Sequence, residues 1–438
     1  MKSLNDAIEI FNAAVKAVQP AVLIPQQLSV KDNHLLLPGG TWPLDKGKIY
    51  LLSVGKAASA MAQEAEKILG SHITKGLVVT KYHHSLPVKF CTTIEAGHPV
   101  PDENSIKAAE AIKGFLQNLA GSDLLLCFIS GGASALIADI AEGISLADLQ
   151  QLSRLLLQCG ASIHEINTIR KHTSTLKGGQ LLRYANGARV AAFLISDVMG
   201  DDTSVIASGL TVADKSTFAD AWKIVKQYNL EEKLPHAVAA HLRKGLNAEI
   251  TETPKPGDDC FANTINSIIA SNSIALGAAA GTARKLGYNV SIINAAIDGE
   301  ARQRAAEFVN ELLHYEAAKP ACLLMGGETT VTIRGKGKGG RNQEFVLAAL
   351  QELIQQQVTA DKLPVVLSGG TDGTDGPTDA AGAVIDNSIM PLLASLQLDP
   401  LPYLRNNDAY HFFQQTSNLL ITGPTQTNVM DVVVGLVG

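Results

Sequence analysis

Ile49–Leu69 reads IYLLSVGKAASAMAQEAEKIL: six mostly apolar residues, a Gly-Lys pair, then a stretch with helical periodicity. An apolar run closed by glycine is the pattern of a buried strand, so Ile49–Val54 is expected to be a strand and Ala57–Leu69 the helix that follows it. The same unit recurs outward from there. Gly76–Lys81, Thr92–Glu95, Leu124–Ser130 and Val190–Val198 read as strands, and Asn104–Leu119, Ser145–Gln158 and Ile166–Tyr184 as helices. Ser145 and Asp148 stand at capping-box spacing and mark one helix start. Strands alternating with helices predict an α/β fold with a mainly parallel sheet covered by helices.

At Thr251–Asp259 (TETPKPGDD) the alternation breaks into a polar segment with two prolines and a glycine, which reads as a linker. The expected division is therefore residues 1–250, a linker at 251–259, and residues 260–438. In the second part the pattern resumes with helix Ile274–Leu286, strand Asn289–Ala295, helix Gly299–Tyr315 and strand Ala321–Met325. Strand Thr329–Arg334, helix Asn342–Gln356, strand Pro364–Ser368 and the apolar runs Leu419–Thr422 and Val432–Val437 complete it. Only Gly326–Glu328 separate two of these strands, too few residues for a parallel crossover, so this second sheet is expected to be mixed.

The chain has 438 residues, 46% of them hydrophobic and 18% charged, enough for two sizeable cores. A net charge of -6 argues against a nucleic-acid-binding protein. The five cysteines are scattered without a Cys-x-x-Cys pair, as in a reducing cytoplasm. The apolar runs fall far short of the ~20 residues that span a bilayer, and the N-terminus has no signal-like block. A cytoplasmic protein with no membrane partner is the expectation.

Candidate chemistry gathers where apolar strands end in glycines: SVGK (Ser53–Lys56), SGGAS (Ser130–Ser134), GGE (Gly326–Glu328) and SGGTDGTD (Ser368–Asp375). Ligands of open α/β sheets bind beyond the carboxyl ends of strands, where glycine lets backbone N–H groups approach an anion. Gly335, Gly337 and Gly340 fit G-x-G-x-x-G, the dinucleotide fingerprint, but no acidic residue closes the next strand to hold a ribose. The same loop carries Lys336, Lys338 and Arg341, which suits several phosphates. No Walker A motif is present. Asp197, at the end of an apolar strand, and Asp201 and Asp202 after it can hold Mg²⁺ or accept a hydroxyl proton. Asp372, Asp375 and Asp379 form a second acidic group in a turn-rich segment. On spacing alone Lys56 reads as solvated surface, Arg170 and Lys171 as a helix face, and His98 as a structural histidine. Ser134 lacks the context of a nucleophile elbow.

The motifs VGKAA (54–58), GHPVPD (97–102), SGGASAL (130–136), INTIRKHTSTLKGG (166–179), ISDVMGDD (195–202), IASGLTVAD (206–214), GGETTVT (326–332), GGRNQE (339–344) and GTDGPTDAAG (373–382) together resemble the glycerate 2-kinases with a MOFRL C-terminal domain. The resemblance covers nearly the whole chain. It implies transfer of the ATP γ-phosphoryl group to the 2-hydroxyl of D-glycerate, giving 2-phospho-D-glycerate, with ATP as co-substrate and Mg²⁺ as cofactor. It also implies a Rossmann-like N-terminal domain, a smaller mixed-sheet C-terminal domain, and an active site in the cleft between them. The family's functional Lys and Arg correspond to Lys56 and Arg341. With Asp197 they form the expected catalytic set, Asp197 and Asp202 being the metal ligands. Gly55, Ser130, Gly131, Gly132, Ser134, Arg170, Lys171, Gly327, Glu328, Lys336, Lys338, Asp372 and Asp375 complete the expected substrate and phosphate site. A homodimer is left open. Leu210 and Ala213 depart from prolines common in the family and are expected to loosen their loop. The competing readings are an NAD(P)H-dependent hydroxypyruvate reductase, which rests on the fingerprint, and a non-catalytic sensor of organic acids.

Overall fold

A computed structural model describes residues 2–438. They divide into two compact units, residues 23–269 and residues 2–22 with 270–438.

The first unit opens with a small antiparallel sheet of β1 (Ser29–Lys31), β2 (His34–Leu37) and β3 (Gly40–Pro43). Its main sheet holds β4 (Ile49–Val54), β5 (Ile73–Lys81), β6 (Cys91–Ala96), β7 (Leu124–Ile129), β8 (Arg189–Ile195) and β9 (Thr264–Ala270). The strand order is β6-β5-β4-β7-β8-β9, parallel from β6 through β8. The unbroken apolar runs of β4 and β7 occupy the middle, every residue buried, as strands covered on both faces require. Helices Ala58–Leu69 and Glu103–Leu116 follow the expected pattern, and Ser145 with Asp148 forms the expected capping box. A second apolar core joins helices Leu146–Gln158, Ile163–His172, Phe218–Gln227 and His236–Leu246 through Leu152, Ile169, Phe218, Trp222 and Leu242.

The helix expected at Ile166–Tyr184 instead ends at His172 and gives way to an irregular turn and a short 3-10 segment, Gln180–Tyr184. The cause is Asp139: its buried carboxylate accepts the backbone N–H groups of Thr175, Leu176 and Lys177, which a continuing helix would need for itself. The segment Thr251–Asp259 is not a linker. Thr253 is buried and donates to Asp214 Oδ2 at 3.0 Å, Glu252 accepts the Phe218 N–H at 2.8 Å, and Lys255 donates to the Ser216 carbonyl. Its polar composition serves a buried polar network, and the chain leaves this unit only at the end of β9. The loop containing Leu210 and Ala213 is bonded along its length. Leu210 is buried, Thr211 exchanges hydrogen bonds with Asn266, and the Asp214 N–H reaches the Pro254 carbonyl.

The second unit is built on β10 (Asn289–Ile297), β11 (Ala321–Gly327), β12 (Val365–Gly370), β13 (Gly382–Ile385), β14 (Leu419–Leu420) and β15 (Asp431–Val437), ordered β10-β11-β15-β12-β13-β14. The sheet is mixed, but for a different reason from the one expected. Thr329–Arg334 forms only a single bridge, Thr330 to Glu300. The last strand, β15, instead inserts antiparallel between β11 and β12. The N-terminal helix Lys2–Ala17 belongs here. It packs on helix Asn272–Lys285, Tyr288 donates to Asp6 at 2.7 Å, and Thr427 donates to the Val18 carbonyl at 2.6 Å. The division at 251–259 is thus displaced at both ends. Among the described residues no single helix is long and apolar enough to cross a membrane.

Candidate functional site

The register of the parallel sheet sets Val54, Ile129 and Leu194 side by side, so the turns that follow β4, β7 and β8 lie together at its carboxyl edge. The first two turns are laced. Lys56 N–H donates to the Gly131 carbonyl at 2.9 Å, Ser130 N–H to the Val54 carbonyl at 3.0 Å, and Ala57 N–H to Ser130 Oγ at 3.1 Å. Gly55 has φ +125°, and a Cβ there would meet Ser130 Oγ at 2.2 Å, so no other residue fits. Ser130 therefore builds the turn.

Around the bare backbone of Gly131 and Gly132 three titratable side chains converge. A Cβ on Gly131 would lie 1.8 Å from Asp197 Oδ2, so this carboxylate rests directly on the Gly131 Cα. A Cβ on Gly132 would lie 3.0 Å from the His98 ring at Cδ2 and Nε2, and 3.2 Å from Cγ of Lys56. Sequence spacing gave no reason to choose His98. Its loop follows β6, two strands away, and only the sheet order brings it here. Ser134, one helical turn on, shares a 2.8 Å hydrogen bond with Ser208 Oγ, which donates to Asn167 Oδ1 at 2.8 Å.

The other expected residues of this unit separate. Lys171 is buried and paired with Asp214 at 3.3 Å, so it supports the fold locally and is no solvated face. Its neighbour Arg170 instead lines a cavity of about 290 Å³. Asp202 accepts the Ser204 N–H at 2.8 Å. Burial works against its charge, but Ser204, His164 and Lys171 hold the carboxyl below its ordinary value.

In the second unit Asp431, at the start of β15, pairs in register with Gly327 of β11 and Gly370 of β12. Antiparallel insertion thus carries a carboxylate to the ends of two strands whose glycine turns were candidates. Arg341 opens helix Arg341–Gln355 and grips Asp431 with Nε at 2.5 Å and Nη2 at 2.8 Å, while Nη1 reaches Glu328 at 2.8 Å. Burial opposes its charge, but these carboxylates hold Arg341 well above its ordinary value. Asp375 caps the same helix, accepting the N–H groups of Asn342 at 3.1 Å and Gln343 at 2.8 Å. Burial pushes its pKa up to about 7 despite those bonds. Asp372 accepts the Thr374 N–H in a tight turn.

The fingerprint glycines have a local cause. A Cβ on Gly335 would strike the Asn406 carbonyl oxygen at 2.2 Å, and one on Gly337 the Asp408 Cβ at 2.4 Å. The loop lies against Asn406–Asp408, which accept the N–H groups of Gly335, Lys336 and Lys338. Lys338 Nζ sits 4.2 Å over the Tyr410 ring and Lys336 is exposed. The close approach these glycines permit is to the protein's own backbone.

A family model described as a domain of unknown function (DUF4147) matches residues 6–243, and a MOFRL family model matches residues 321–431. The chain is 40% identical over 437 residues to the glycerate 2-kinase of Pyrococcus horikoshii, covering 98% of this chain and 96% of that one. It belongs to the glycerate kinase class II family. The family extends to vertebrates: a glycerate kinase of Danio rerio is 36% identical over 491 residues, with 99% and 97% covered. The crystal structure of a glycerate kinase from Thermotoga maritima matches with a TM-score of 0.85 and 39% identity, covering 99% of both chains. The DUF4147 match begins within the N-terminal helix that packs on the second unit, so sequence family and compact unit do not share a boundary.

Proposed function

We propose that this protein transfers the γ-phosphoryl group of ATP to the 2-hydroxyl of D-glycerate, releasing ADP and 2-phospho-D-glycerate. The observation that supports it most is the convergence of Lys56, His98 and Asp197 on the Gly131–Gly132 backbone, in a chain of this family. Phosphoryl transfer asks little covalent chemistry of a protein. It needs cations on the phosphoryl oxygens, a proton acceptor for the attacking hydroxyl, and donors that fix the acceptor. Lys56 neutralises phosphoryl charge. Asp197 takes the hydroxyl proton, since a carboxylate resting on a glycine Cα leaves room for a small acceptor beside it. The N–H groups of Gly131 and Gly132 receive an anionic oxygen, and Arg341, held by Asp431 and Glu328, contributes fixed positive charge.

Mg²⁺ enters with ATP as part of the substrate. Among the described residues no group of three or more His, Cys, Asp or Glu side chains is placed to hold a metal. The chemistry suits a cation that keeps water and phosphate oxygens and takes one or two carboxylates, of which Asp197 is the one set at the Gly131–Gly132 backbone. A cytoplasmic setting suits the five free cysteines.

The test is a coupled assay of the purified protein with ATP, Mg²⁺ and D-glycerate, expected to show ADP formation that depends on all three. NADH oxidation on hydroxypyruvate with no ADP formed from glycerate overturns the reading.

A further inference from the structure

The 290 Å³ cavity in the first unit is lined by Pro99, Val100 and Pro101, by Leu149 and Leu157 of helix Leu146–Gln158, and by Arg170, Asp139 and Lys177. Its charges do not balance from within. Lys177 is buried against Asp139 and also donates to the Ile137 carbonyl at 2.8 Å, so that pair is closed. Arg170 has no such partner. Among the described residues its guanidinium makes no hydrogen bond and no ion pair, and burial alone pulls its pKa below the ordinary arginine value. A half-buried guanidinium with no carboxylate partner, set at the wall of a cavity, is a ready receptor for an anion.

The remaining walls say what the anion is attached to. Val100 and Leu157 are 60% and 67% exposed, large apolar side chains left facing water at this cavity. The volume lies near the lower end of the ~300–1,000 Å³ range of small-molecule sites, whose linings are mostly apolar with a few convergent polar groups. A three-carbon acid offers no apolar surface to cover Val100, Pro101, Leu149 and Leu157, whereas the flat ring of a nucleobase does. Residues close in sequence to the proposed chemistry also line the cavity. Ser134 and Ala135 line it and follow Gly132, and Pro99 lines it and follows His98.

We infer that this cavity is the nucleotide pocket, with the base against Val100, Pro101, Leu149 and Leu157, Arg170 on a phosphate, and the phosphate chain directed past Ser134 toward Gly131–Gly132 and Lys56. This rests on the kinase reading for the identity of the nucleotide, but its test does not need turnover. A fluorescent ADP analogue is titrated into the full-length protein, with ADP, D-glycerate and inorganic phosphate as competitors. The parent should bind the analogue, and ADP should displace it far better than D-glycerate or phosphate. Arg170→Gln should weaken ADP at least ~10-fold, the loss expected for a hydrogen bond to a charged group, while the KM for D-glycerate stays within about twofold. Ser153→Trp, which fills the cavity from helix Leu146–Gln158 and leaves Arg170 in place, should weaken ADP as well and carries the test if Arg170→Gln does not fold. ADP affinity unchanged in both variants overturns the pocket. A raised KM for D-glycerate with ADP affinity intact also overturns it, and assigns the cavity to the acceptor. Arg170-dependent ADP binding in a protein that fails to phosphorylate glycerate leaves the pocket standing and refutes the kinase reading alone.

Discussion

Lys56 and Arg341 each stand just after a glycine turn at the start of a helix, yet the two units surround them differently. Lys56 runs its stem along Gly132, with the His98 ring and the Asp197 carboxylate set around the same bare backbone. Arg341 has Nε, Nη1 and Nη2 all engaged by carboxylates, two of them on the buried Asp431. Around Lys56, reactive groups gather at backbone that glycines keep bare. Around Arg341, the carboxylates of Asp431 and Glu328 hold a rigid, pre-oriented cation. Substitutions at Asp197 should therefore alter chemistry more than folding, and substitutions at Arg341 should alter both.

The largest effect is expected at Asp197. Asp197→Asn keeps the shape and removes the charge, and kcat should fall at least ~10²-fold, the lower end for a lost general base, with the thermal midpoint little changed. Activity near that of the parent, or loss of the fold together with activity, would remove Asp197 from the chemistry and break the contrast between the units.

Arg341 should behave in the opposite way. Arg341→Ala leaves Asp431 buried without its partner, so stability should fall by roughly 3–5 kcal/mol in denaturant unfolding, the usual consequence of orphaning a buried charge. Arg341→Lys retains the charge but loses the bidentate grip. It should fold and lower kcat more than it raises the KM for D-glycerate, the pattern of an interaction made mainly in the transition state. A parent-like kcat with only a higher KM would make Arg341 a carboxylate anchor.

Much of this was legible in the residues themselves. The apolar runs of β4 and β7, bounded by Gly55 and Gly131, announce buried parallel strands, and the Ser145–Asp148 spacing announces its helix. What stayed hidden was decided by partners distant in sequence. Asp431, some 90 residues after Arg341, enters the site only because β15 inserts between β11 and β12. His98 enters because β6 lies two strands from β4. Gly335 and Gly337 look like a nucleotide loop because close backbone approach demands glycine whatever approaches, and here Asn406–Asp408 do. Thr251–Asp259 has a linker's composition because satisfying the buried Asp214 takes polar residues too.

The gentlest probe of the contrast is pH, through Asp375. Its pKa is pushed up to about 7 by burial, whereas in the unfolded chain it returns to the ordinary aspartate value near ~3.9. Between those values the folded protein keeps a proton that the unfolded chain has released. Folding stability attributable to this group is therefore full below about pH 4, falls as pH rises toward 7, and levels off above it. The slope is bounded by one proton, about 1.4 kcal/mol per pH unit, and is smaller where other groups titrate. Asp375→Asn cannot ionise and should flatten this part of the profile. Unfolding free energies of parent and variant, measured by denaturant titration from pH 5 to 8, should converge at the acid end and separate as pH rises, with the parent the less stable. Parallel profiles would mean that Asp375 is ionised throughout, its charge carried by the Asn342 and Gln343 N–H groups and by Arg341. The second unit would then hold its carboxylates as fixed anions, and the rigidity assigned to Arg341 would rest on three charges instead of two.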